Sequence, residues 1–247
     1  MELLKLLTTF LVGVFAGFIG ALVGSGGLIS IPFLIFLGLP PQVAIATHKF
    51  GAVGLKLGAI AKFWKTPHIQ REYLLPFAIL SFVAAFAGAQ LLITIDRELL
   101  SRIVGVLLLL VLPLLFVKKE TGITHRVTSA LQRAFGYCLY FLAEVYAAFF
   151  GGGAGTIAYY VLMTFFGFTI VEASATAMLP GLIMSIVTLI IFGLNGILHY
   201  QIGAVIFLGM LAGGWLGAHT ALQKGNVWVK AVFVAVVVLS AIKLLVG

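Results

Sequence analysis

Residues 21–32 read Ala-Leu-Val-Gly-Ser-Gly-Gly-Leu-Ile-Ser-Ile-Pro, and residues 46–50 read Ala-Thr-His-Lys-Phe. These two stretches hold most of what the chain can use for chemistry. Gly24, Gly26 and Gly27, with Ser25 among them, leave backbone N–H groups uncovered and admit positive φ angles. A helix starting directly after them aims its unpaired donors and its positive dipole end at one point. That is a site for an anion. Gly151-Gly152-Gly153-Ala154-Gly155-Thr156 repeats the device later in the chain, and Gly153, Gly155 and Thr156 are its candidate binding residues. Lys49 would supply a positive charge, and Thr47 and Thr176 hydroxyls. His48 carries an imidazole, whose titration near neutral pH in water suits proton coupling.

Each feature has a plainer reading. The glycines could simply allow helices to cross closely, and a lysine near a helix end can snorkel to the headgroups. Lys49 and Lys56 are seven residues apart, so they project from one helix face, and snorkelling suits Lys56 better. Glu144, within the apolar run before the second glycine cluster, is either a second proton-coupling candidate or a partner for a basic residue. Glu172 suits a helix N-terminus, and Cys138 and the Met residues suit packing. A nucleotide-phosphate loop is excluded, because no strand precedes the glycines and neither GK[ST] nor G-x-G-x-x-G follows.

Those residues must be positioned by elements unlike those of a soluble domain. The 247 residues are 62% apolar and 9% charged, with 21 Phe and 29 Gly, and the mean hydropathy is +1.22. Soluble domains carry about 25% charged residues, so this composition belongs to a polytopic membrane protein, all-α in fold class. The net charge of +8 comes from 15 basic residues scattered between apolar runs, which argues against nucleic acid as a partner. One Cys excludes an internal disulfide, and one Asp with six Glu leaves little for hard-metal ligation, so no metal or cofactor is expected. Apolar runs long enough to span lie near 4–23, 43–64, 72–93, 99–117, 129–150, 171–193, 202–221 and 227–246. Two shorter runs, 28–38 and 156–166, follow the glycine clusters and read as half-helices. Lys5 before an apolar run imitates a signal peptide, but the run leads straight into more membrane sequence and reads as a retained helix.

Shifting the sequence by 129 residues places Gly24 and Gly26 on Gly153 and Gly155, and Gly38 on Gly167. The same shift places Ala44, Ala46 and Thr47 on Ala173, Ala175 and Thr176, Phe63 on Phe192, and Gly88-Ala89 on Gly217-Ala218. The order is shared without a gap: glycine cluster, half-helix, glycine, A-x-A-T, long helix, loop, helix. We therefore expect a first membrane repeat at 1–117, a cytoplasmic linker at 118–128 and a second repeat at 129–247. Paired, glycine-interrupted short segments in two halves point to a transporter's binding site. Lys118, Lys119, Arg126 and Arg133 put the central connection in the cytoplasm, as do Lys62, Lys65 and Arg71 for the loop near 65–71. Basic residues are shared equally between an inverted and a parallel arrangement. Repeats around broken helices favour the inverted one.

The Gly24–Pro32 element and the A-x-A-T pair resemble the TauE/SafE family of sulfite and organosulfonate exporters, within the 4-toluene sulfonate uptake permease superfamily. Thr47-His48-Lys49 resembles a T-N-K variant with His in place of Asn, and Thr156 stands where a further glycine is expected. The resemblance covers nearly the whole chain. It implies a multi-pass carrier of a bacterial inner membrane for a small sulfur-containing anion, with export the expected direction. The residues themselves lead only as far as an anion carrier, with the lipid bilayer as its surroundings and a homodimer left open. An anion channel is the alternative. An intramembrane enzyme is disfavoured, since neither aspartate-rich motifs nor H-E-x-x-H occur.

Overall fold

The computed structural model describes residues 2–96 and 121–246, with side chains to residue 236. The expected span at 99–117, and Lys118 and Lys119, lie outside the described residues. Helix α1 (Glu2–Val23) leads into the first break, where Gly24 takes a left-handed φ of 75° and turns the chain into α2 (Gly26–Phe36). That helix is 11 residues long, about half a bilayer core. It stops at Gly38, whose φ of 95° lets Leu39 N–H donate back to the Leu34 carbonyl. Pro41 opens α3 (Pro41–Phe63), as its missing N–H permits at a first helical position. A single 3-10 turn, Arg71–Tyr73, precedes α4 (Leu74–Thr94).

The second glycine break has the same local order around it, a long helix, a short helix and another long helix. Ser129 caps α5 (Ala130–Phe149) by accepting from Gln132 N–H at 3.2 Å. Gly153, at φ 74°, starts α6 (Ala154–Phe165). Thr169 and Glu172 form a reciprocal capping box on α7 (Ile170–Leu194). The chain ends in α8 (Tyr200–Val246), which differs from the expectation of two separate spans. Its two stretches, 200–224 and 226–246, join directly at Gly225, whose φ of 72° breaks the helix without a loop. Among the described residues there is no strand, and five helices are long and apolar enough to cross a membrane. The chain is an all-helical, multi-pass membrane protein.

The molecule is arranged for lipid rather than water. Leu3, Leu7, Leu11 and Phe15 recur at helical spacing on the outer face of α1, and Leu75, Ile79, Phe82 and Phe86 do so on α4; all are exposed. Small residues do the packing inside. At Gly17 an added Cβ would sit 2.5 Å from the Met210 carbonyl oxygen, and at Gly13 3.2 Å from Gly209 Cα, so α1 and α8 touch backbone to backbone. Gly54, Gly58 and Gly214 bring α3 equally close to α8. For these glycines, close packing is the reason.

Helices α3 and α7 run antiparallel across the middle. Thr47, near the start of α3, accepts from His199 N–H just beyond α7, at 3.0 Å. Thr176, near the start of α7, accepts from Gln70 N–H just beyond α3, also at 3.0 Å. Midway between these ends Lys56 Nζ donates to Ser185 Oγ at 2.9 Å. On the described side of the linker, Arg126 N–H reaches Gly167 O and Ile170 N–H reaches Gly122 O, both at 2.8 Å. His125 meets Glu172 at 2.9 Å.

Candidate anion site between the helix breaks

The two glycine breaks touch. Ser25 Oγ and Thr156 Oγ1 are hydrogen-bonded to each other, and Thr156 Oγ1 donates to Val23 O at 2.8 Å. A Cβ on Gly155 would lie 2.7 Å from Gly24 Cα, and one on Gly27 would lie 2.7 Å from Gly151 O. No side chain larger than hydrogen fits at Gly24, Gly27 or Gly155. Each break starts a short helix, and the first N–H groups of such a helix have no intrahelical acceptor. Gly26 and Gly27 of α2, and Ala154 and Gly155 of α6, occupy those places, and all four line one cavity.

That cavity, about 80 Å³ in volume, is also lined by His48, Lys49 and Lys56 from α3, Glu144 from α5, Tyr159 from α6 and Ser185 from α7. Its size admits one small oxyanion or a few waters. Lys49 is 1% exposed, and its Nζ donates to the Ala147 carbonyl in the last turn of α5 at 2.5 Å. A Cβ on Gly151 would lie 3.3 Å from the same Nζ, so the ammonium sits beside the second break. It is enclosed by the protein interior. Among the described residues' hydrogen bonds this is the one its ammonium makes, leaving donor capacity for a ligand. Lys56 is half-buried and held by Ser185. His48 Nδ1 lies 2.7 Å from Ser30 Oγ, which also donates to Gly26 O at 3.1 Å.

The structure gathers some of the expected residues and separates others. Gly24, Gly26, Gly27, His48, Lys49, Glu144 and Gly155 share the cavity lining. Ser25, Gly153 and Thr156 lie at the breaks without lining it, because the two hydroxyls bind each other and Gly153 supplies the turn. Thr47 and Thr176 stand apart from it, their oxygens taken by loop N–H groups of the opposite half. Each oxygen thereby joins its helix to a loop from the other end of the chain. Two polar lining residues were missed by sequence reasoning, Ser185 and Tyr159. Ser185 stands 129 residues after Lys56, the offset that relates the glycine clusters, so comparing polar residues across that shift would have found it. Tyr159 OH sits 3.4 Å from Ser174 Oγ, and nothing in its spacing marked it.

The family model for the sulfite exporter TauE/SafE matches residues 9–244, both breaks and the cavity included. The chain belongs to the TauE/SafE family. Its similarity extends to a probable membrane transporter protein of Haemophilus influenzae, 30% identical over 235 residues, covering 95% of this chain and 91% of that one. The probable membrane transporter protein YfcA of Escherichia coli K12 is 28% identical, covering 96% and 88%. YdhB of Bacillus subtilis, a probable membrane transporter protein, is also 28% identical, covering 94% and 95%. No solved structure matches the chain. Its place is among membrane transporters, not enzymes.

Proposed function

We propose that the chain is a secondary carrier that exports a small sulfur oxyanion, sulfite or an organosulfonate, binding it between the two helix breaks. One observation carries this reading. Lys49, buried at the centre, projects into a cavity whose walls include the starts of two short helices. Oriented N–H groups and a poorly screened ammonium both stabilise negative charge. Lys56 adds a second positive charge, and the cavity volume of about 80 Å³ favours a compact anion over a bulky aromatic sulfonate. The sulfur specificity comes from the family.

The proposed architecture is a pair of inverted repeats, 1–117 and 129–247. In its support, the exchanged contacts Thr47–His199 and Thr176–Gln70 join matched positions of the two halves in both directions. Their carriers α3 and α7 are antiparallel, whereas parallel repeats would run matched helices the same way. Both breaks then meet near mid-membrane, accessible in turn from either side. The linker near Thr121 faces the cytoplasm, so a cysteine there, in a background lacking Cys138, should resist an impermeant thiol reagent in intact cells. Ready labelling would reverse the orientation.

The deciding experiment is labelled sulfite flux in proteoliposomes. Saturable uptake that is accelerated by unlabelled sulfite on the opposite side marks a carrier. Flux that rises linearly with concentration, without counterflow, marks the anion channel instead. Loss of flux in Lys49→Met, with normal insertion, ties the activity to this cavity.

A further inference from the structure

Glu144 has two sets of neighbours. It lines the anion cavity with Lys49 and Lys56 of α3, and it also faces Ser81 of α4 and Tyr140, one turn earlier on its own helix. Ser81 and Tyr140 are fully buried and Glu144 is 5% exposed. Yet Ser81 Oγ, Tyr140 OH and Glu144 Oε2, though they face one another, complete no hydrogen bond in this geometry. Buried oxygens without complete hydrogen bonds are costly and uncommon, so two hydroxyls gathered around one carboxylate oxygen call for an occupant, and the smallest is a proton. The other polar groups nearby are accounted for. Tyr159 of α6 lies beside Ser174, Ser185 of α7 accepts from Lys56, and His48 is engaged by Ser30.

The charges define what that occupant does. Two ammonium groups and one carboxylate share the cavity walls. While the carboxyl is ionised, it competes with any incoming anion for Lys49 and Lys56. Once it carries a proton, both ammonium groups are open to the anion, and the carboxyl O–H has Tyr140 and Ser81 oxygens within reach as acceptors.

We propose that Glu144, positioned by Tyr140 and Ser81, is the proton-binding group through which anion movement is coupled to proton movement, one proton travelling on Glu144 with the bound anion. The proton comes from water on the loading side and returns to water on the releasing side, so charge and atoms balance. The coupling rests on the anion-carrier reading above, and it is reciprocal: each ligand favours the other. Direction follows the sum of the two gradients, so export requires an internal anion excess larger than any external proton excess.

The test uses the full-length chain in liposomes loaded with a pH-sensitive dye, with the potential clamped by potassium and valinomycin. Methanesulfonate is the probe, since a strong-acid anion carries no proton of its own. Wild-type influx should acidify the lumen in step with labelled anion entry, and an inward proton gradient should speed it. In Glu144→Gln, proton-driven uptake relative to labelled counterflow should fall by about ten-fold, an effect usual for coupled sites. Tyr140→Phe and Ser81→Ala should retain coupling while shifting the pH at which uptake is half-maximal, which a purely packing role would not do. Wild-type influx without acidification, sodium substituting for the proton gradient, or an unchanged ratio in Glu144→Gln would each overturn the coupling. If Glu144→Gln does not insert, the wild-type proton count decides. Absence of any sulfite or methanesulfonate counterflow in wild type is a different result, and it defeats the carrier reading and the coupling together.

Discussion

The first and second helix breaks are built alike and equipped differently. Each has a glycine at φ near 75° before its short helix, Gly24 and Gly153, and each contributes two first-turn residues to the cavity. Their side chains diverge. Positions 48, 49 and 56 of α3 are His, Lys and Lys, whereas the matched positions 177, 178 and 185 of α7 are Ala, Met and Ser. The one carboxylate among the described lining residues, Glu144, lies on α5, and its match on α1 is Phe15, which is exposed. A backbone device can be duplicated because each copy needs only its own turn. The cavity already holds Lys49 and Lys56 against a single carboxylate, so further lysines at positions 178 and 185 would add strong repulsion in a poorly screened interior. The comparison teaches that the glycine device occurs twice and the charge does not.

The sharpest way to break the shared part is to crowd the crossing of the breaks. Gly24→Val and Gly155→Val should both abolish transport and lower the yield of inserted protein, with a cost of several kcal/mol from overpacking and, at Gly24, from the positive φ. Immunoblots of membrane fractions alongside flux would show this. Normal flux in either variant would mean the breaks are looser than the backbone contacts indicate.

The asymmetric part is tested by moving the charge. Lys49→Met should insert normally and lose anion flux, with apparent affinity falling about 100-fold for a charge-assisted interaction of about 3 kcal/mol. Met178→Lys in that background places the ammonium at the matched position and should restore part of the flux if the backbone is two-fold. Failure to recover anything would confine the cation's role to the α5 terminus at Ala147.

Smaller effects follow from groups nearer the edge of the cavity. Lys56→Met should raise KM by about ten-fold, since Lys56 already donates to Ser185. An unchanged KM would remove it from the anion's surroundings. Thr47→Val and Thr176→Val should each lower stability by about 1 kcal/mol and leave KM unaltered, because their oxygens serve loop N–H groups. Thermal shift in detergent and a KM measurement separate those outcomes, and an altered KM in either variant would return the hydroxyl to the binding site.

Much of the fold was legible before any coordinates. Helix positions follow from apolar runs bounded by glycine and proline, so Pro41 opens α3 and Gly38 closes α2 as the sequence suggests. Both short helices fall within about two residues of their expected places, since a glycine at positive φ is a local instruction. The junction at Gly225 was not legible, because one left-handed residue replaces a loop without changing composition.

By itself, the sequence determined the class of molecule and the two glycine breaks, because each depends on residue type or nearest-neighbour spacing. Only the tertiary structure decided which polar groups face the cavity. Thr47 and Thr176 lie outside the cavity and accept from loop N–H groups, while Ser185, Tyr159 and the Ser81–Tyr140–Glu144 cluster entered the picture through packing. The reason is geometric. A hydroxyl in a buried helix takes whichever partner the crossing helix or loop brings to it, and for Thr47 and Thr176 that partner is more than 100 residues away in the chain.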